Sequence, residues 1–367
     1  MSSTLEHSRP SAAPTQEQRS AVSSSRRDPW FDNAKMLLVT LVVVGHSWVL
    51  LPEETLARNW FYDFLYLWHM PAFVMVTGYL SRSFSWSRRN VSRLVTVVAV
   101  PYVIFEAAMA AFRVEIGGEE GLAPLFVEPH WPMWFLAVLF LWRLATPLLL
   151  RVPNPLLLAV VASLLGGLIE GDVLDVGRAT GMLPFFVLGL VARREHLDRL
   201  RTGPARKAAA AVLAVGFGLA AFIDGRIRTE WMYWRSSYAD LDATFASGSL
   251  IRLGLLVVGT LLALSALALV PQVDGWFTRL GAATMVVYLF HGFFLRGAEY
   301  AGVAALLENN PWAALVVTST LSVVLALGLA APPVARRLNV AVDPFGTWRR
   351  RARARDRQAG PVGAGRS

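Results

Sequence analysis

Ten long apolar stretches dominate this chain, near residues 32–51, 60–80, 94–112, 132–150, 155–169, 178–192, 208–223, 249–270, 281–298 and 312–332. A helix needs about 20 mostly apolar residues to cross about 30 Å of hydrocarbon. In that solvent every backbone polar group must be bonded within the protein. The pattern therefore predicts an all-α polytopic membrane bundle of about ten transmembrane helices. Composition agrees, with 55% apolar and only 17% charged residues, where a soluble domain carries about a quarter charged. Several stretches are short or hold Gly and Pro, which is tolerated where neighbouring helices enclose the backbone. Residues 1–29, rich in Ser, Gln and Arg, read as a disordered cytoplasmic leader, 30–335 as the membrane domain, and 336–367 as a basic, disordered cytoplasmic tail. The first apolar run begins at Met36 and has no small-residue cleavage pattern, so the first span is expected to stay as a signal anchor.

Loop charges orient the bundle. Arg82, Arg88, Arg89 and Arg93 share one loop, Arg193, Arg194, Arg199, Arg201, Arg206 and Lys207 another, and the tail adds nine arginines. Two alternate loops are acidic, with Glu115, Glu119, Glu120 and Glu128 in one and Glu170, Asp172 and Asp175 in the next; the loop 224–248 is mixed. Short basic loops stay cytoplasmic, so an even number of spans places both termini inside, in the plasma (inner) membrane. The same bias accounts for the net charge of +9 without a polyanionic partner. The arginine run at 349–351, with Arg353, Arg355 and Arg357, suits anionic lipid at about 1 kcal/mol per residue. No stacking aromatics accompany it, and nucleic acid is not expected.

The chain has no cysteine, which excludes disulfides, thiolate metal sites and any cysteinyl intermediate. There is no G-x-x-x-x-G-K-[ST], no G-x-G-x-x-G opening a helix, no G-x-S-x-G and no H-E-x-x-H, so ATP-driven transport, nucleotide redox chemistry and zinc hydrolysis lack support and no metal is expected.

Ionisable residues at membrane depth carry the remaining information, because they are costly there. Of six histidines, His46, His69 and His291 fall centrally in spans one, two and nine, and His130 sits at an outer boundary. Lys35 precedes His46 by eleven residues, close to three turns, so both face one way about 16 Å apart along the axis. A cation at the mouth and an imidazole inside suit an anionic substrate that enters from the cytoplasm and meets a general base. On periodicity alone, a lone buried His is more often an interhelical hydrogen-bond partner, and such a Lys more often a snorkelling anchor. Asp32 suits either an N-cap of the first helix or an orienting partner for Lys35. Glu106 is a lone acid in span three that would pair with a cation or mark the acceptor path. The outer segment Arg228–Tyr238 interleaves Trp, Tyr and Arg beside His130, Trp131 and Trp134. An interfacial aromatic belt produces such a composition more often than a sugar-stacking surface does.

Sequence context adds a resemblance. Arg27-Asp28-Pro29-Trp30-Phe31-Asp32-Asn33-Ala34-Lys35, then Val-Val-Val-Gly45-His46-Ser47, resembles the opening of the acyltransferase 3 family of integral membrane acyltransferases, in particular its fucose 4-O-acetylase-like branch. Lys35 and His46 match the basic-x10-His signature. His69-Met70-Pro71-Ala72-Phe73 with Thr77-Gly78-Tyr79-Leu80, then Pro101-Tyr102, Trp134-Phe135-Leu136, Pro184-Phe185-Phe186-Val187-Leu188-Gly189 and Tyr288-Leu289-Phe290-His291-Gly292, follow in the family's order over about residues 27–335.

The resemblance implies transfer of an acetyl or short acyl group from cytoplasmic acyl-CoA, such as acetyl-CoA, to a hydroxyl of a saccharide or glycosylated acceptor. It carries over His46 as the catalytic histidine and Lys35 as its partner. Lys for the commoner Arg keeps the charge but loses the bidentate fork. Arg82, Arg88, Arg89, Arg93 and Arg143 are then expected to hold the nucleotide of CoA, with His69, Tyr79, Glu106 and His291 in the substrate pocket. His69 and His291 would hydrogen-bond the thioester carbonyl or the acceptor. The competing class is a secondary transporter or exporter with a His/Glu proton relay, although no paired inverted repeat is visible.

Overall fold

A computed structural model describes residues 28–51, 55–171, 173–223 and 226–348; the leader and the arginine run after 348 lie outside them. Among the described residues every regular element is helical and no strand is present. The helices are α1 (Pro29–Ser47), α2 (Leu56–Ser81), α3 (Arg88–Leu94), α4 (Val100–Glu115), α5 (Trp134–Leu149), α6 (Pro155–Gly166), α7 (Val176–Gly181), α8 (Leu183–Val191), α9 (Arg194–Leu200), α10 (Gly203–Ile223), α11 (Phe245–Leu269), α12 (Trp276–Leu280), α13 (Thr284–Tyr300), α14 (Pro311–Ala330) and α15 (Pro332–Val342). A π-helical segment, Val95–Ala99, joins α3 to α4.

Every apolar stretch seen in the sequence folds as helix, but they do not all qualify as membrane crossings. Six helical segments are long and apolar enough, or seven if Val173–Gly181, which includes α7, and α8, bent by 59°, count as one broken span. Helix α5 has 16 residues and α6 has 12. At 1.5 Å per residue these reach about 24 and 18 Å, short of a full crossing. Helix α2 has length enough at 26 residues, but Tyr, Trp and His dilute its apolar run.

Helix starts follow local chemistry. Asp28 caps α1, its Oδ1 accepting the Trp30 N–H at 3.0 Å with Pro29 in the first turn. Asn154 before Pro155 and Asn310 before Pro311 repeat the device, which satisfies a free N–H and uses the ring where no donor is needed. Asp32 is therefore not the cap. It sits one turn inside and meets Lys35 Nζ at 2.8 Å.

Helix α1 is the axis of the bundle. Its span is 78% buried, against 22–50% for the other five crossing segments, so it is apolar on all sides because it meets protein on all sides. Its first turns are tied to the end of α11 and the segment after it: Trp30 Nε1 donates to Leu267 O, and Asn33 Nδ2 donates to Pro271 O and Val273 O. Arg201 holds Asp28 at this same end. At the opposite end Trp48 Nε1 donates to Ser319 of α14, and Tyr62 and Thr229 Oγ1 join α2 to the turn 229–233. Helices α2 and α8 pack closest. Gly78 lies against the Phe186 carbonyl and Gly189 against the Met75 carbonyl, where any Cβ would collide with backbone.

Candidate active site

At the end of the bundle where α1 finishes, a cavity of about 250 Å³ opens among α1, α2, α5, α7 and the 229–235 turn. His46, His69, Trp131, Trp134, Arg178 and Tyr233 line it. His46 is 8% exposed, His69 1%. His46 comes from the last turn of α1, and its Nδ1 lies 2.9 Å from Nε2 of His291 on α13. The His291 Nδ1 lies 2.6 Å from the Tyr288 carbonyl oxygen. His69 donates from Nδ1 to Leu65 O, one turn back, at 2.7 Å; its Nε2 is buried without a hydrogen-bond partner. A neutral imidazole has one donor and one acceptor, so His69 holds an unused acceptor that is itself buried.

Trp131 roofs the site, its ring 4.7 Å from that of His46. Three side chains hold the segment that carries it. Tyr102 donates to Phe126 O, Tyr288 to Pro132 O, and Glu106 accepts both the backbone N–H and Nδ1–H of His130, the latter at 2.6 Å. A carboxylate at membrane depth is tolerable only with donors around it, and here they come from His130. Glu106 therefore faces the roof segment rather than the cavity. Arg178 donates from Nη1 to Asp175 at 2.6 Å and from Nε to Tyr233 O, with its guanidinium 4.7 Å over the Trp134 ring.

A second cavity of about 370 Å³ lies at the other end, lined by Trp30, Phe31, Tyr79, His196, Leu188 and Leu267 among others. Tyr79 stacks on Phe31 at 4.8 Å, and the Arg82 guanidinium sits 3.8 Å from the Tyr79 ring centroid. Arg143 donates to Ser81 Oγ at the same end of α2. Arg88, Arg89 and Arg93 are exposed on α3. Lys35, paired with Asp32, lies along α1 between the residues that line the two cavities.

The predicted residues thus divide. His46 and His69 share one cavity; His291 is bonded behind His46, and Tyr79 belongs to the second cavity, ten residues beyond His69 on α2, about 15 Å along the axis. Arg178 was absent from the expected site. A signal existed: it is an arginine beginning a span on the side where the neighbouring loops are acidic, against the positive-inside trend. Buried Arg252 on α11 was also missed. It donates to Ser163 O at 2.7 Å and to Ser236 O at 3.3 Å.

Comparison with known proteins fits this architecture. The family described as an acyltransferase domain, acyltransferase 3, matches residues 28–331. The chain belongs to that family, and acyl transfer is the general reaction of the class. Among curated proteins, a segment of 61 residues is 38% identical to the nodulation protein NolL of Mesorhizobium japonicum, covering 16% of each chain. A segment of 142 residues is 28% identical to the nodulation protein NolL of Sinorhizobium fredii, covering 35% of this chain and 39% of that one. The matched segments thus span well under half of these relatives. No solved structure matches the chain significantly.

Proposed function

We propose that this protein moves an acetyl or short acyl group from acyl-CoA to a hydroxyl of a saccharide or glycosylated acceptor, in the plasma (inner) membrane with both termini cytoplasmic. The observation that carries the reading is the placement of His46. Its ring lines the cavity while Nδ1 is turned to His291, which leaves Nε2 facing the space a substrate would occupy.

In this reading the hydroxyl of the acceptor lies against His46 Nε2, which takes its proton as oxygen attacks the thioester carbonyl carbon. The C–S bond breaks, and the sulfur leaves with the proton that His46 returns. His69 shapes the cavity wall against which the acceptor rests. Trp131, Trp134 and Tyr233 supply flat faces on which a sugar ring stacks, and the buried setting limits the water that reaches the donor, so hydrolysis is slow. The donor enters from the other end, its phosphates beside Arg82 and Arg143 with Lys35 deeper along α1. The two cavities at opposite ends of the α1–α2 pair support such two-sided access.

The test uses detergent-purified protein and acetyl-CoA. Wild type is expected to bind acetyl-CoA and hydrolyse it slowly. His46→Ala should keep binding and lose about 10²–10⁴ in turnover, whereas Lys35→Ala should weaken binding. Folded wild type that binds no acetyl-CoA would refute the assignment and favour a transporter.

A further inference from the structure

We propose that His291 is the positioning residue for His46: it holds the His46 imidazole in the tautomer whose Nε2 is bare and can take a proton. The inference rests on the reading of His46 as the general base, and goes beyond it by assigning the proton on each ring nitrogen.

The assignment follows from the order of the bonds. The carbonyl oxygens of Tyr288 and Val287, at 2.6 and 3.2 Å, flank His291 Nδ1. A carbonyl only accepts, so His291 Nδ1 carries hydrogen. A neutral imidazole has one N–H, which leaves His291 Nε2 with a lone pair. That lone pair faces His46 Nδ1 at 2.9 Å, and two lone pairs at this distance would repel. His46 Nδ1 therefore carries its hydrogen and donates it to His291. His46 Nε2, on the cavity side, is left as acceptor.

A doubly protonated His291 would reverse the result. It would bury a cation at 0% exposure, and among the described residues no carboxylate hydrogen-bonds either ring. Burying an unpaired charge is costly, so the neutral pair is the one the site can hold. When His46 Nε2 takes a proton, the Nδ1–H···Nε2 bond to His291 becomes charge-assisted and stronger. The positive charge on His46 is thus met by an acceptor already in place, without reorganisation.

His69 provides the internal contrast. It also donates from Nδ1 to a carbonyl of its own helix, four residues back. Its Nε2 is buried and has no hydrogen-bond partner, whereas that of His291 is engaged by a second histidine. One local device, a ring folded back on its own helix, thus has different consequences according to what lies across from Nε2.

The experiment is nitrogen-15 NMR of histidine-labelled protein in detergent above neutral pH, combined with acetyl-CoA binding and hydrolysis. The chain has six histidines, and the spectra of His46→Gln and His291→Gln assign the two signals. Wild type is expected to show His46 protonated at Nδ1 and bare at Nε2, the reverse of the tautomer that histidine favours in water. In His291→Leu the His46 signal should move toward the Nε2–H form, with kcat for hydrolysis down about 10- to 100-fold and acetyl-CoA binding unchanged. His291→Gln, which offers an amide oxygen to His46 Nδ1–H, should retain more turnover than His291→Leu. A wild-type His46 carrying hydrogen on Nε2, or a folded His291→Leu with wild-type kcat, overturns the inference. Should His291→Leu not fold, the wild-type spectrum decides alone. Wild type that neither binds nor hydrolyses acetyl-CoA sinks the functional reading instead, whatever the tautomer.

Discussion

Gly78 and Gly189 offer the sharpest test of how the bundle is held together. They face each other's helices in a reciprocal arrangement: a Cβ on Gly78 would sit 2.0 Å from the Phe186 carbonyl oxygen, and one on Gly189 would sit 1.9 Å from that of Met75. Carbon–oxygen contacts across helix interfaces ordinarily begin near about 3.3 Å. Gly78→Ala therefore forces α2 and α8 apart by about 1.3 Å locally, and the obstacle is backbone that has no rotamer to change. Overpacking of this kind costs about 1–3 kcal/mol. Lost close-range dispersion along the same seam adds to it. The double variant should cost less than the sum, because one separation relieves both clashes and the sites share an interface. Gly254→Ala on α11 is the control. Nothing lies within 4 Å of its Cβ position, so the better helix propensity of Ala should leave stability unchanged or raise it by up to about 1 kcal/mol. Thermal unfolding in detergent, followed by tryptophan fluorescence, should rank Gly254→Ala at or above wild type and both single α2–α8 variants below. Gly78→Ala unfolding at the wild-type temperature would refute the close approach.

Arg252 ties α11 to the Ser163 carbonyl of α6 and to Ser236 in the loop that follows Tyr233 and Arg235. Its replacement by Ala removes two charge-assisted bonds and leaves a void, so a loss of about 2–5 kcal/mol is expected, and an unchanged unfolding temperature would argue against the clamp. Outside the membrane spans, Glu119 is held by Arg113 and Tyr300, which drop its pKa from 4.5 to about 2. A depressed carboxylate stabilises the fold above its unfolded pKa and loses that contribution as pH falls through the folded one. The stability gap between wild type and Glu119→Gln should therefore be full at pH 7 and shrink between about pH 4.5 and 2. Since the Glu119 side chain is 27% exposed, the gap should stay at or below about 1 kcal/mol; a gap that grows on acidification would contradict the assignment.

What could be read from the chain alone is what depends on neighbours in sequence. Apolar runs forced helices, because backbone in hydrocarbon has few other ways to bond, and all ten runs proved helical. The Asp32–Lys35 contact was legible as one of two local options, since residues three apart share a helix face. His46, His69 and His291 were legible as costly residues at depth. The number of full crossings was not, because the bend at Met182 and the shortness of α5 and α6 depend on neighbours that enclose them.

The roles of the buried polar groups were decided only by tertiary structure. His291 meets His46 from 245 positions away and Glu106 reaches His130 from 24, so no spacing rule links them. Arg178 joins the cavity only because the short helix α7 places it over Trp134. Sequence alone determines which groups are too expensive to leave unpaired. The folded bundle determines which of them pair with one another, and so which nitrogen of His46 is left facing the cavity.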